Sequence, residues 1–159
     1  LTTFVQGRKL EDDASILLRM SNNVKGNLSI SQIATGEENN FSLSIYGDKG
    51  ALHWCQENPN YAKFNKVGKN TEIITRGGSI KQEGSLSNVR IPAGHPEGYL
   101  EAFAQIYSDA ASIILGDQNK NELLEIIPNA KIGLHIMKFI NAVVISSKKN
   151  SQWINLNEI

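Results

Sequence analysis

Arg90 to Tyr107 reads RIPAGHPEGYLEAFAQIY, and here an irregular, polar, glycine-rich passage turns into the first strongly amphipathic helix of the chain. Pro96 suits a first helical position, where its fixed φ is already helical and its missing N–H costs nothing, and Glu97 adds negative charge beside the positive end of the helix dipole. The helix is therefore predicted to begin at His95 or Pro96. From there Tyr99, Phe103, Ile106, Tyr107, Ala110, Ile113 and Ile114 recur at the helical period, which predicts one buried stripe. Gly94 and Gly98 flank the start and leave room for close backbone approach. Spare donors at such a terminus can bind the oxygen of a polar ligand, and the same features serve equally as a simple helix cap.

Upstream of this stretch the pattern is that of strands. Ala14, Ile16, Leu18 and Met20 alternate with Ser15, Leu17 and Arg19, and Ser21-Asn22-Asn23 then supplies turn chemistry. Leu28 and Ile30 alternate with Ser29 and Ser31; Phe41, Leu43 and Ile45 alternate with Ser42, Ser44 and Tyr46. Gly47-Asp48-Lys49-Gly50 leads into Ala51 to Cys55, and Tyr61 to Lys66 and Thr71 to Thr75 follow further turns. The opening LTTFV is strand-like as well. Consecutive strands joined by short turns predict an antiparallel meander. Its polar face is rich in serine, so it can pack on another sheet or stand as an ordinary solvated face. Ser29, Ser31, Ser42 and Ser44 are expected on neighbouring strands, forming a strip without guarding lysines through which two copies would pair.

Arg76 to Gly94 has no periodicity and reads as a long, mobile loop. Downstream of the central helix, Gly116 to Asn121 is a polar break, and Asn129 is placed to cap a second helix starting just past Pro128. Ile132, Ile136, Ile140, Val143 and Val144 would form its buried stripe, and Trp153, Ile154 and Leu156 a last strand. Strands first and helices after, without alternation, predict an α+β domain: a large open, mainly antiparallel sheet with two main helices covering one face.

With 159 residues and 40% hydrophobic content the chain is expected to form a single domain over 1–159. Sixteen basic and sixteen acidic residues cancel, which removes the electrostatic footprint of a nucleic-acid binder. The apolar passage from Ile136 to Val144 is interrupted by Lys138 and Asn141 and is shorter than the roughly 20 residues a bilayer span needs, so a soluble protein without a membrane partner is expected. Cys55 is the single cysteine, which excludes an internal disulfide and fits a cytoplasmic location. The first residue is Leu1, and the strand-like opening suggests a piece of a longer protein.

The chemistry is sparse. No GxGxxG or GxxxxGK turn offers a seat for cofactor phosphates, no GxSxG elbow occurs, and His53, His95 and His135 stand too far apart for a metal site by spacing. No catalytic residue, no metal ligand and no cofactor-binding residue is therefore assigned to this chain. His95, at the helix start behind the loop, is the titratable group best placed for ligand work, and the alternative is a histidine that merely closes the helix start. Tyr99 lies one turn on, where it can face the same cleft or begin the buried stripe.

The stretches IYGDKGALHW, QENPN, RIPAGHPEGYLEAFAQIYSDAA and GLHIMKFINAVVISSKKNSQWINL resemble the C-terminal domain of the Gfo/Idh/MocA family of NAD(P)-dependent oxidoreductases. The resemblance runs over nearly the whole chain, and the PAGHPEGYLEAF run is similar to a subgroup acting on sugars and cyclitols. It implies an open sheet with helices on one side, and a parent enzyme of carbohydrate metabolism. That parent would carry an upstream Rossmann domain binding NAD or NADP and the catalytic residues. The substrate-side residues it implies here are His95, Glu97 and Tyr99, and it implies assembly into a homodimer or larger oligomer through the sheet. Where similar members often carry an acid followed by glycine at the start of the last helix, this chain has Ile132-Gly133. A free-standing polyol-binding or assembly module without catalysis is the alternative reading.

Overall fold

A computed structural model describes residues 1–77 and 89–159. The architecture is α+β: antiparallel sheets formed first and helices after them. The chain divides into two compact units, one of Leu1–Gly36 with Pro128–Ile159, the other Glu37–Ile127.

In the first unit, β1 (Asp13–Arg19) pairs antiparallel with β2 (Lys25–Ser31). The turn between them needs two left-handed residues, and asparagine, which tolerates that region best among residues with a Cβ, occupies both: Asn22 at φ 56° and Asn23 at φ 60°. The segment before β1 is not the strand that LTTFV suggested. Thr2 alone bridges to Asp13, because the chain immediately folds back onto Asp12. The Asp12 carboxylate accepts from the amides of Phe4 (2.8 Å) and Val5 (3.0 Å), with Arg8 Nη1 at 3.6 Å. Those two amide hydrogen bonds, with the Arg8 cation adding to them, hold its pKa below the usual carboxylate range.

The long helix of this unit is α3 in chain order (Ala130–Lys148), and Asn129 caps it as predicted, its side chain accepting from the amides of Lys131 and Ile132. Ala142 is buried, whereas Ile132, Ile136 and Ile140 are exposed, so the predicted stripe is covered only toward its C-terminal half. Beyond the helix, Trp153 does not enter a strand. The Arg19 guanidinium stacks on its ring at 4.1 Å, and Leu156–Glu158 form a short 3₁₀ turn closed by the Asn155 side chain.

The second unit is built on a four-stranded antiparallel meander of β3 (Ser42–Tyr46), β4 (Gly50–Cys55), β5 (Tyr61–Lys66) and β6 (Glu72–Thr75), in that order across the sheet. Register puts Leu43 and Ile45 on one face with Trp54, Leu52, Ala62, Phe64 and Ile74; the other face carries Ser42, Ser44, His53, Lys63 and Asn65. The expected adjacency of the serine-bearing strands is not found: β2 pairs with β1 and β3 with β4, so Ser29 and Ser31 do not sit across a hairpin from Ser42 and Ser44. Nor is the serine face free of lysine. Lys63 lies opposite His53, and Ser44 Oγ makes a 2.8 Å hydrogen bond with His53 Nδ1.

Two helices follow the meander. The first, α1 (Tyr99–Leu115), ends at Gly116, whose φ of 79° is the left-handed conformation that glycine adopts without cost. The second, α2 (Lys120–Ile126), buries Leu123 and starts inside the expected polar break of Gly116 to Asn121, taking up its last two residues, Lys120 and Asn121. The expected loop of 76–94 falls largely on 78–88, outside the described residues. By length and composition alone, Lys120–Lys148 is apolar enough to cross a bilayer, with a mean hydropathy of 1.2 over an 18-residue window within it. Extended backbone at Ile127 and Asn129 divides that stretch into α2 and α3.

Candidate functional site

The turn between β4 and β5 is the first part of the site. Trp54 Nε1 donates to the Pro59 carbonyl at 3.1 Å, fixing the Asn58-Pro59-Asn60 corner from the sheet side. Asn60 then reaches across to the segment before α1. Its Nδ2 donates to the Glu97 carbonyl (3.0 Å) and its Oδ1 accepts the Glu97 amide (3.1 Å), so one side-chain amide pairs with the backbone as a neighbouring strand would. The backbone of Asn60 accepts from the Arg76 amide at 3.0 Å, which ties the end of β6 to the same corner.

Arg76 is the hub. Its Nε donates to Asn60 Oδ1 (2.9 Å), Nη1 to the Ile91 carbonyl (2.8 Å), and Nη2 to the carbonyls of Pro92 (3.4 Å) and His95 (2.8 Å). Nη1 also forms an ion pair with Glu97 Oε2. The other Glu97 oxygen, Oε1, accepts the Arg90 amide at 2.7 Å. Segment 90–97 is thus wrapped around one guanidinium, a planar fork able to serve several carbonyls at once where an ammonium could not. Glu97 is 8% exposed, and its Oε2 accepts no well-angled hydrogen bond, the Arg76 charge being what balances it.

This wrapping moves the start of α1. With His95 and Glu97 held by Arg76 and Asn60, the first helical residue is Tyr99 and not His95 or Pro96. Glu101 reaches back to the Gly98 amide (2.9 Å), half of a capping box, and that hydrogen bond holds the Glu101 carboxyl below its ordinary pKa. Farther along, Arg90 Nε donates to Gln105 Oε1 (2.9 Å) and Gln105 to Asp109 (2.7 Å), extending the polar line down the helix.

Beside the hub lies a cavity of about 370 Å³ lined by Asn58, Asn60, Tyr61, Thr75, Arg76, Gly77, Ala93, Gly94, His95 and Pro96. Gly77 passes so close to Ala93 that a Cβ would collide with it, which explains a glycine in the turn just after β6. Of the three residues the sequence pointed to, His95 lines this cavity, Glu97 is buried behind it in the ion pair, and Tyr99 is 67% exposed with its ring against Phe103 at 4.7 Å. Sequence reasoning missed Arg76 and Asn60, since nothing in their local pattern marks a residue whose partners stand some 15 to 37 positions away. Among the described residues no group of histidines, cysteines and carboxylates is arranged to hold a metal ion.

A second hollow, of about 610 Å³, lies against Ile45, Leu52, Phe64 and Val67, with Lys49, Lys66 and Lys69 at its rim. It is the open end of the apolar sheet face.

Residues 1–53 match the GFO/IDH/MocA C-terminal domain. An oxidoreductase from Sinorhizobium meliloti is similar in structure with a TM-score of 0.89 and 40% identity over 98% of this chain and 44% of that one. An inositol dehydrogenase homolog from Azotobacter vinelandii, solved in complex with NAD+, superimposes with a TM-score of 0.88 at 26% identity, over 97% of this chain and 41% of its own. Among curated sequences, the uncharacterized oxidoreductase YfiI of Bacillus subtilis is 28% identical over 96% of this chain and 40% of its own length. The chain therefore spans less than half the length of each of these relatives.

Proposed function

We propose, from the premise that the chain is a C-terminal domain of the Gfo/Idh/MocA family of oxidoreductases, that it supplies the substrate side of a longer NAD(P)-dependent sugar or cyclitol dehydrogenase. The observation that carries the substrate class is the lining of the smaller cavity. Asn58, Tyr61, Thr75 and His95 offer amide, hydroxyl and imidazole groups, and Arg76, the one arginine or lysine of the lining among the described residues, is already engaged by protein oxygens. Such a lining suits a neutral molecule rich in hydroxyls, and a volume of about 370 Å³ is within the range of small-ligand sites. In this reading His95 and Tyr99 face the substrate side and Glu97 supports them from behind. That the A. vinelandii relative is an inositol dehydrogenase homolog favours a cyclitol.

The cofactor does not fit among the described residues of this chain. The backbone at the start of α1 is flanked by the carboxylates of Glu97 and Glu101, which already hold the Arg90 and Gly98 amides and would repel a pyrophosphate. Binding of NAD or NADP is accordingly assigned to an upstream Rossmann domain. Alone, this chain would position a substrate and perform no hydride transfer.

That upstream domain also accounts for the apolar surface of α1. Tyr99, Leu100, Phe103, Ile106, Tyr107 and Ile114 are all exposed, Ile114 at 81%, far more contiguous apolar surface than a finished protein leaves to water. A second copy is proposed to meet the serine-bearing face of the β3–β6 sheet, with Ser42, Ser44 and His53 at its centre. Sedimentation of a Ser44→Lys variant tests this: the pairing idea fails if the dimer persists unchanged.

The functional reading is tested with the full protein that carries this chain, by following reduction of NAD and NADP over a panel of cyclitols and sugars. Turnover of at least one polyol is expected, and His95→Ala should raise its KM with little change in the KM for the dinucleotide. Absence of turnover on every polyol, or a His95→Ala enzyme with an unaltered polyol KM, refutes it.

A further inference from the structure

We propose that Arg76 is a positioning residue that shapes the His95-bearing turn for substrate, and that Glu97 serves the site by holding Arg76 and not by touching substrate. The inference rests on the proposed function for what occupies the cavity, but its geometry stands apart from that reading. Every guanidinium nitrogen of Arg76 is engaged by a protein oxygen: Asn60 Oδ1 on Nε, the Ile91 carbonyl and Glu97 on Nη1, the Pro92 and His95 carbonyls on Nη2. Arg76 lines the cavity with nothing left to offer a ligand. What it does offer is curvature, because carbonyls of residues 91, 92 and 95 converge on one planar group only if the turn between them is fixed.

The hydrogen bond to the His95 carbonyl is the informative one. It fixes the backbone of His95 and leaves the imidazole free of that contact, so the side chain can meet a hydroxyl while its Cα is immobilised. Glu97 completes the arrangement. Its carboxylate lies between the Arg90 amide and the guanidinium, and an arginine with a side chain only 16% exposed would be strongly disfavoured without a counter-charge. Lysine cannot replace this hub, since a single ammonium lacks the fork that spans Asn60 on one side and the Pro92 and His95 carbonyls on the other.

The test uses the full protein and the polyol identified as its substrate. Arg76→Lys is expected to raise the polyol KM about tenfold or more while leaving kcat and the dinucleotide KM within about threefold, the signature of lost substrate placement. Because Arg76 acts through His95, the double variant Arg76→Lys/His95→Ala should be no worse than His95→Ala alone. In parallel, the His95 imidazole resonance, identified by its loss in His95→Ala, should shift in Arg76→Lys while those of His53 and His135 stay in place. If Arg76→Lys does not fold, Glu97→Gln, which removes the counter-charge and keeps an acceptor for the Arg90 amide, takes its place in every arm.

An unchanged polyol KM, additive losses in the double variant, or an unmoved His95 resonance overturns the proposal. Should His95→Ala leave the KM unaltered, the functional reading falls, and the His95 resonance alone then decides whether Arg76 positions that residue.

Discussion

Asn60→Ala removes more from this fold than its size suggests. One side chain makes three hydrogen bonds, to Arg76 Nε and to both backbone groups of Glu97. Truncation leaves the Glu97 amide and carbonyl and one guanidinium N–H without partners in a half-buried corner. A lost hydrogen bond costs about 1 kcal/mol net, and an orphaned polar group about 1 to 3 kcal/mol where water cannot reach it. Water reaches this corner in part, so the sum is about 2 to 3 kcal/mol, not the full penalty for three groups. At 1.4 kcal/mol per tenfold, the local opening equilibrium rises roughly 30- to 150-fold. Amide hydrogen exchange reads this at named positions: the Glu97, Arg90 and Arg76 amides all donate to atoms of Asn60 or Glu97. Their protection should fall by that factor, while amides in the β1–β2 ladder keep theirs. Protection at Glu97 and Arg90 lowered less than about threefold would refute the view that Asn60 closes the corner.

Asn129→Ala should cost about 1 kcal/mol, visible as a lower urea midpoint with kcat unaltered in the full protein, because the cap satisfies the Lys131 and Ile132 amides and neither they nor Asn129 line the cavity. Asp12 supplies a pH dependence whose sign is set by its depressed folded pKa: its stabilisation is present above the unfolded value of about 3.9 and is lost as pH falls through the folded one. Asp12→Asn should therefore lower stability at neutral pH and flatten the acid limb of a stability profile, and a variant with an unchanged acid limb would count against the amide contacts.

Much of the fold was legible because local pattern and final structure agree. The strand Tyr61–Lys66 lies where alternation between two turns put it, and Asn129 caps the helix that its position before an apolar period announced. The misreadings have physical causes. LTTFV has strand propensity, but the Asp12 carboxylate captures the Phe4 and Val5 amides. Pro96 is a sound helix start in isolation, but Asn60 and Arg76 hold the residues around it. Trp153 alternates like a strand residue and stacks instead under Arg19. The helical stripe beginning at Tyr99 has the right period, yet periodicity identifies an apolar face without saying which body covers it. At the site, His95 was visible as a titratable group, expected at a helix start and found in the turn before it. The residues that shape the turn were not, because a side chain that crosses sequence distance leaves no local mark.

The corner closed by Asn60 and Arg76 also bears on the order in which the second unit assembles. Each ladder of the β3–β6 meander joins strands adjacent in sequence, so those contacts have low contact order and need only short loops to close. The contact between Asn60 and Glu97 spans 37 residues, and a chain must give up the entropy of that larger loop before any hydrogen bond returns stability. The sheet should therefore form ahead of the turn that carries His95, and a loosened corner such as that of Asn60→Ala should quicken unfolding while leaving the refolding rate nearly as it was. Within the second unit, the turn proposed to meet substrate would be the last part to form and the first to open.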